Sequence, residues 1–282
     1  MSDTGESETR TLSELRKKID TIDAEMHRLL IERGTAIDSL IRTKGTNRPG
    51  AAFRPAREAD MMRRLVARHD GGLPLTTVEH IWREIISTFT RMQAPFDIVI
   101  DASADGERMR DLARFYFGFS VRLVPVADAE AVVAEVSRGN DLGIIARDRM
   151  GGAWWRKLAG VAAPRIMAML PFIAAERRPA DLPAFVVAPQ LADPTPPDFR
   201  VFAVVAAGDV AKLGGLVALA GPAGAGEADR LIALPATVDA KELAASAARQ
   251  GITLRDVAEV GGFARGIAVG RAPSPLYEAV AS

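Results

Sequence analysis

The sequence predicts a multidomain protein of mixed class: an all-helical region over residues 11–94, followed by α/β structure with a parallel or mixed sheet. Three observations carry this. Apolar residues recur at helical spacing through LRKKIDTIDAEMHRLLIERGTAIDSLIRTK (Leu15–Lys44), and again in two shorter stretches ending at Gln93. After Pro95 the period changes to short apolar runs with helical patterns between them. The length, 282 residues, suffices for two domains that each bury a core.

Residues 1–10 (MSDTGESETR) are polar and lack the apolar segment of a signal peptide, so they read as a disordered tail. Thr11 with Glu14 forms a capping-box pattern that opens a first helix running to about Thr43. GTNRPG (45–50) breaks it. Pro55 suits the first turn of a second helix, PAREADMMRRLVARH, which stops before Gly71 and Gly72. Thr76 and Glu79 form another capping-box pattern, and a third helix continues from there until Pro95.

Beyond Pro95, buried strands are expected at Asp97–Asp101, Val121–Val126, Leu142–Ala146, Ala184–Ala188, Val201–Ala206 and Leu231–Leu234. Helices are expected at Glu107–Phe117, Ala127–Arg138 and Ala240–Gln250. DPTPPD (193–198) reads as a linker, which divides the second region into α/β parts at 95–192 and 199–282. GPAGAG (221–226) does not match a phosphate-binding loop and reads as a flexible one. Trp154 and Trp155 are expected in a core or packing interface rather than a ligand pocket.

Composition narrows the chemistry. Thirty-six basic and thirty-six acidic residues cancel, so no global field points to nucleic acid or an anionic membrane. The absence of cysteine removes disulfides and thiolate chemistry and fits a reducing cytoplasm. Three scattered histidines make a histidine-rich metal site unexpected. No apolar run is long enough to span a bilayer. No cofactor or metal is expected.

The helical region carries polar residues where apolar ones are due. On the first helix the stripe of Ile22, Met26, Leu29, Ile37 and Leu40 is interrupted by Arg33 and leads to Lys44. Glu58 lines up with Met62 and Leu65, and Trp82, Ile86 and Phe89 lead to Gln93. Buried charge without a partner costs several kcal/mol. These groups either satisfy one another, as in an internal Arg33–Glu58 pair, or line a cavity for an anionic ligand with hydroxyl or ether oxygens. Arg33 and Lys44, eleven residues apart, share a face about 16 Å apart, whereas Arg16 lies about 25 Å before Arg33 on another face. A helix of about 48 Å exceeds one small globule, so its far end is expected on a second copy, which could also deliver Arg16.

These residues resemble a known family. LR-x-x-ID-x-ID, LL-x-ER, Lys44, RPARE (Arg54–Glu58) and IWREIISTFTRMQ, in order over Leu12–Gln93, are similar to the all-helical (AroQ-type) chorismate mutases often fused to prephenate dehydratase. The resemblance implies a three-helix fold in an intertwined homodimer, with chorismate as substrate. It implies that Arg33 and Arg57 contact the anionic ligand and that Arg16 is supplied across the interface. Lys44 and Gln93 would donate to the ether oxygen of the breaking bond, and Glu58 would accept from the ring hydroxyl. Arg54 and Phe89 depart from the aspartate and serine that some members carry. The rearrangement to prephenate moves no proton and needs no nucleophile, so the residue set fits catalysis by conformer binding and charge stabilisation.

The second region has a faint dehydratase cadence over Phe117–Ala146, without the dehydratase motifs. No Gly-Pro-x-Gly-Thr follows Gln93, Arg147-Asp148-Arg149 stands where Glu-Asn-Ser is due, and Phe199 occupies the place of the catalytic threonine. Glu242–Val260 resembles the helix and strand of an ACT module, with EVGG in place of its ligand motif. A degenerate relic is therefore expected, serving dimerisation or regulation. Two other readings stay open for the whole: an isochorismate pyruvate-lyase, and a non-catalytic regulator that binds chorismate or an amino acid.

Overall fold

The computed structural model describes residues 3–44, 53–103, 105–139, 141–147, 152–190, 195–213, 215–222, 224–271 and 274–280; at 3–10, 44 and 240 the backbone alone is described. The loop expected at 45–50 lies outside these residues. The chain divides into two compact units, Met1–Asn47 and Arg48–Ser282.

The first unit is one helix, α1 (Asp3–Lys44). It begins eight residues before the expected Thr11 start, so residues 3–10 are helical rather than a tail, and Thr11 and Glu14 sit inside the helix instead of capping it. Acidic residues at 3, 6 and 8 suit a helix N-terminus, where the backbone dipole is positive. Arg28 bridges Glu25 and Glu32 at 2.7 and 2.8 Å, the i±3 and i±4 pairs that support a solvated face. Along the same helix Leu12, Leu15, Ile19, Ile22, Met26 and Leu29 form a heptad-spaced stripe, each 48–56% exposed.

The second unit opens with α2 (Pro55–Arg68) and α3 (Leu75–Gln93). Pro55 starts α2 as expected. No side-chain cap forms on α3: its N-cap is Pro74, and Glu79 is fully buried instead of closing a box with Thr76. Then follow β1 (Ile98–Asp101), α4 (Gly106–Phe117), β2 (Leu123–Val126), α5 (Ala129–Arg138) and β3 (Leu142–Ala146). Asp105 and Asp128 cap α4 and α5 by accepting from Arg108 N and Ala131 N. Strands β4 (Arg165–Leu170), β5 (Ile173–Ala175), β6 (Ala184–Ala188), β7 (Phe199–Ala207), β8 (Val217–Ala220) and β9 (Ala228–Pro235) come next. Helix α6 (Ala240–Arg249) and strands β10 (Thr253–Phe263), β11 (Gly266–Val269) and β12 (Tyr277–Val280) complete the unit.

Among the described residues nine strands form one mixed sheet in the order β2-β1-β3-β6-β4-β10-β7-β9-β8, and β12-β11-β5 form a second, parallel one. The sheet runs unbroken across the Pro-rich segment, of which Thr195–Asp198 is described, so the parts expected on either side share one sheet. The seam is narrow: β10 meets β4 through Gly261 opposite Ile166. Gly261 has φ +143, and a Cβ there would lie 2.2 Å from Ile166 O. Only glycine fits, which accounts for the EVGG sequence at this point. Gly143 on β3 likewise admits α5, since its Cβ would fall 2.4 Å from Val132 Cγ1.

Trp154 and Trp155 are buried with Phe185, Val187 and Phe199 in the core on one sheet face, packed edge-to-face at 5.8 Å. The opposite face is covered by α4 through Met109, Leu112 and Phe117. A further cluster joins α2 and α3 to the small sheet through Met62, Ile86, Phe172, Ile173 and Ile267. Helices α2 and α3 therefore pack in the second compact unit.

Candidate active site

The candidate residues divide between the two units. Arg16, Arg33 and Lys44 lie on α1, and the unbroken helix keeps the expected spacing of Arg33 and Lys44 on one face. Arg16 is exposed and Arg33 half-buried. Arg57, Glu58 and Gln93 belong to the second unit, with Arg57 exposed and the other two half-buried.

Glu58 is turned toward Arg83. Its Oε2 accepts from Arg83 Nη1 at 3.1 Å, and the carboxylate lines a cavity of about 40 Å³ with Phe53, Arg83, Tyr116 and Phe172. Burial pushes the Glu58 carboxyl above the usual range, and the Arg83 charge pulls it back. That cavity has room for a few waters. A carboxylate offers about four lone-pair sites, so Glu58 keeps acceptor capacity beyond Arg83. Gln93 Nε2 donates to Phe89 O, one turn back, at 3.0 Å. An amide carries two N–H groups, and one remains for another acceptor.

Arg83 leads inward to a buried network that the sequence reading missed. Its guanidinium stacks over the Tyr116 ring at 4.9 Å, and its Nε, which makes no hydrogen bond, lies 3.9 Å from Glu79 Oε1. Glu79 Oε1 accepts from Tyr116 Oη at 3.2 Å, and Oε2 from Arg178 Nη1 at 3.2 Å. Tyr116 Oη accepts in turn from Phe172 N at 2.9 Å and Arg178 Nη2 at 3.2 Å. Arg178 also donates to Ile173 O and lies over Phe115 at 4.9 Å. Burial, with the Glu79 charge, pushes the Tyr116 phenol above its usual range, so it stays a donor. The signal for Glu79 and Arg83 was present: four residues apart, they run into Ile86 and Thr90, the buried face of α3. The expected stripe of Trp82, Phe89 and Gln93 is only half-buried.

Residues 15–94 match the family model for chorismate mutase type II. The segment thus covers α2, α3 and most of α1. Among curated relatives, the bifunctional chorismate mutase/prephenate dehydratase of Neisseria gonorrhoeae is 38% identical over 94 residues, 32% of this chain and 25% of that protein. The proteins of the same description from Stutzerimonas stutzeri and Pseudomonas aeruginosa are 28% and 27% identical over 137 and 132 residues. Those matches cover 47% and 45% of this chain and 37% and 36% of the relatives. The chain thus spans between a quarter and two fifths of the length of the relatives it matches. No solved structure matches it. No described helix is long and apolar enough to cross a membrane.

Proposed function

We propose that the protein is a chorismate mutase, an isomerase that rearranges chorismate to prephenate in aromatic amino-acid biosynthesis. The single observation that carries this is the family match over residues 15–94, a segment that holds Arg16, Arg33, Lys44, Arg57, Glu58 and Gln93 together. In this reading Arg33, Arg57 and a partner copy's equivalent of Arg16 hold the substrate's anionic groups through forked guanidiniums. Lys44 and the free N–H of Gln93 donate to the ether oxygen as charge builds there, and Glu58 accepts from the ring hydroxyl. The exposed stripe from Leu12 to Leu29 supports a homodimer, because a second copy of the same stripe would cover it. The cysteine-free composition fits the cytoplasm.

The test is loss of chorismate absorbance with purified protein, followed by product analysis without acid treatment. Prephenate that accumulates supports the mutase and argues that the α/β region does not dehydrate it. Phenylpyruvate would mean that region is a dehydratase, and pyruvate that the site is a lyase. Bound but unconverted chorismate would make the protein a regulator.

Gln93 gives this reading a pH signature. An amide donates at any pH, so activity should be flat near neutrality and fall only where Glu58 takes up a proton. In Gln93→Glu the introduced carboxyl must be protonated to donate, and the optimum should move toward acid. Equal activity of that variant at pH 5 and pH 8 would overturn the ether-oxygen role.

A further inference from the structure

Arg83 sits between two carboxylates, Glu58 at 3.1 Å and Glu79 at 3.9 Å, and the second of these is shared with Arg178 at 3.2 Å. Arg178 and Tyr116 lie outside the segment that matches the mutase family. We propose that Arg178 and Tyr116 are positioning residues for the mutase site: by neutralising Glu79 they leave Arg83 to Glu58, and so fix the carboxylate that meets the substrate's ring hydroxyl. This deepens the mutase reading and rests on its assignment of Glu58.

The argument is one of charge balance in a dry place. Glu79 and the Arg178 side chain are at most 1% exposed, and the Arg83 side chain 7%. Two cations and two anions alternate as Glu58–Arg83–Glu79–Arg178, so losing either cation alone leaves two buried carboxylates to share one guanidinium. Removing Arg178 leaves Glu79 buried with one guanidinium in reach, and a buried carboxylate without a partner is strongly unfavourable. Arg83 Nε, already aimed at Glu79 and without a hydrogen bond, then has reason to close the 3.9 Å gap. That turn draws Nη1 away from Glu58. The Tyr116 hydroxyl works in the same direction, because its donation to Glu79 Oε1 relieves the demand on Arg83. The α/β region thereby acts on the mutase site without touching substrate.

The experiment compares wild type, Arg178→Gln, the charge-balanced Glu79→Gln/Arg178→Gln pair and Tyr116→Phe in the full chain. It reads kcat and KM for chorismate, and the titration of the Glu58 carboxyl by ¹³C NMR, assigned with Glu58→Gln. Arg178→Gln is expected to lower kcat/KM about tenfold and to move the Glu58 midpoint upward, while the pair returns both to within about threefold of wild type. A merely structural role predicts the reverse order, since the pair removes more contacts than the single change. Arg178→Gln with normal kinetics and titration, or a pair as impaired as the single variant, overturns the proposal. If Arg178→Gln does not fold, Tyr116→Phe decides: an upward Glu58 midpoint supports the relay and an unmoved one ends it. If wild type turns over no chorismate, the mutase reading fails. The titration arms then still judge whether Arg178 controls the Glu58–Arg83 pair.

Discussion

Under the mutase reading, Arg33→Ala will abolish prephenate formation while leaving the melting temperature within a few degrees of wild type. A forked guanidinium on a substrate carboxylate is worth about 10³-fold or more in kcat/KM, roughly 4 kcal/mol. The fold has little to lose, because the site lies inside a continuous helix and alanine is the best helix former. Arg16→Ala should be comparably damaging at a position that is exposed on its own chain. The two variants separate the dimer model from any reading within one chain. Mixed and re-equilibrated, they should recover about a quarter of wild-type activity, since half of the dimers are mixed and each of those holds one intact site. No recovery on mixing would mean that Arg16 and Arg33 serve the same site from the same chain. An active Arg33→Ala protein would remove the carboxylate role altogether.

Gly261→Ala will cost at least about 3 kcal/mol, measured by urea unfolding of the full chain. The position combines a left-handed φ with backbone contact: Ile166 O and N would lie 2.2 and 2.6 Å from the new methyl. Neither atom belongs to a flexible side chain, so the strands themselves must separate. Gly72→Ala is the control, because nothing lies within 4 Å of its would-be Cβ, and it should change stability by less than about 0.5 kcal/mol. A Gly261→Ala protein as stable as the control would mean that β4 and β10 do not meet as described.

Much of this fold was legible where a segment decides its own structure. The α/β alternation was readable because β1, β3 and β6 are apolar on both faces and appear as unbroken runs such as LGIIA. Helices α4 and α5 appeared almost to the residue. Strand β10 was visible only through resemblance, because TLRDVAEV carries charges outward along a mostly exposed edge, and β11 and β12 are too short to declare a period. The candidate residues were legible as polar intruders on apolar stripes. Their surroundings were not, because Arg178 pairs with Glu79 across 99 positions, and no local pattern reports a contact at that range. Glu79 is the instructive case. Its spacing from Thr76 satisfies a cap, yet the burial of that face against α4 decides its role instead.

The unbroken nine-stranded sheet has a bearing on how the protein would respond to a protease. The Pro-rich segment that precedes β7 looks like a hinge between halves, and a single cut there would sever the chain between β6 and β7. The halves would still be held together, because β10 returns to β4, Arg165 donates to Glu259 O, and Trp154, Phe185, Phe199 and Phe263 share one core. A nicked molecule should therefore elute as one particle and separate only in denaturant. The same geometry makes the segment a natural place to divide the gene into two co-expressed fragments that reassemble, with Arg16, Arg33, Lys44, Arg57, Glu58 and Gln93 all on the first.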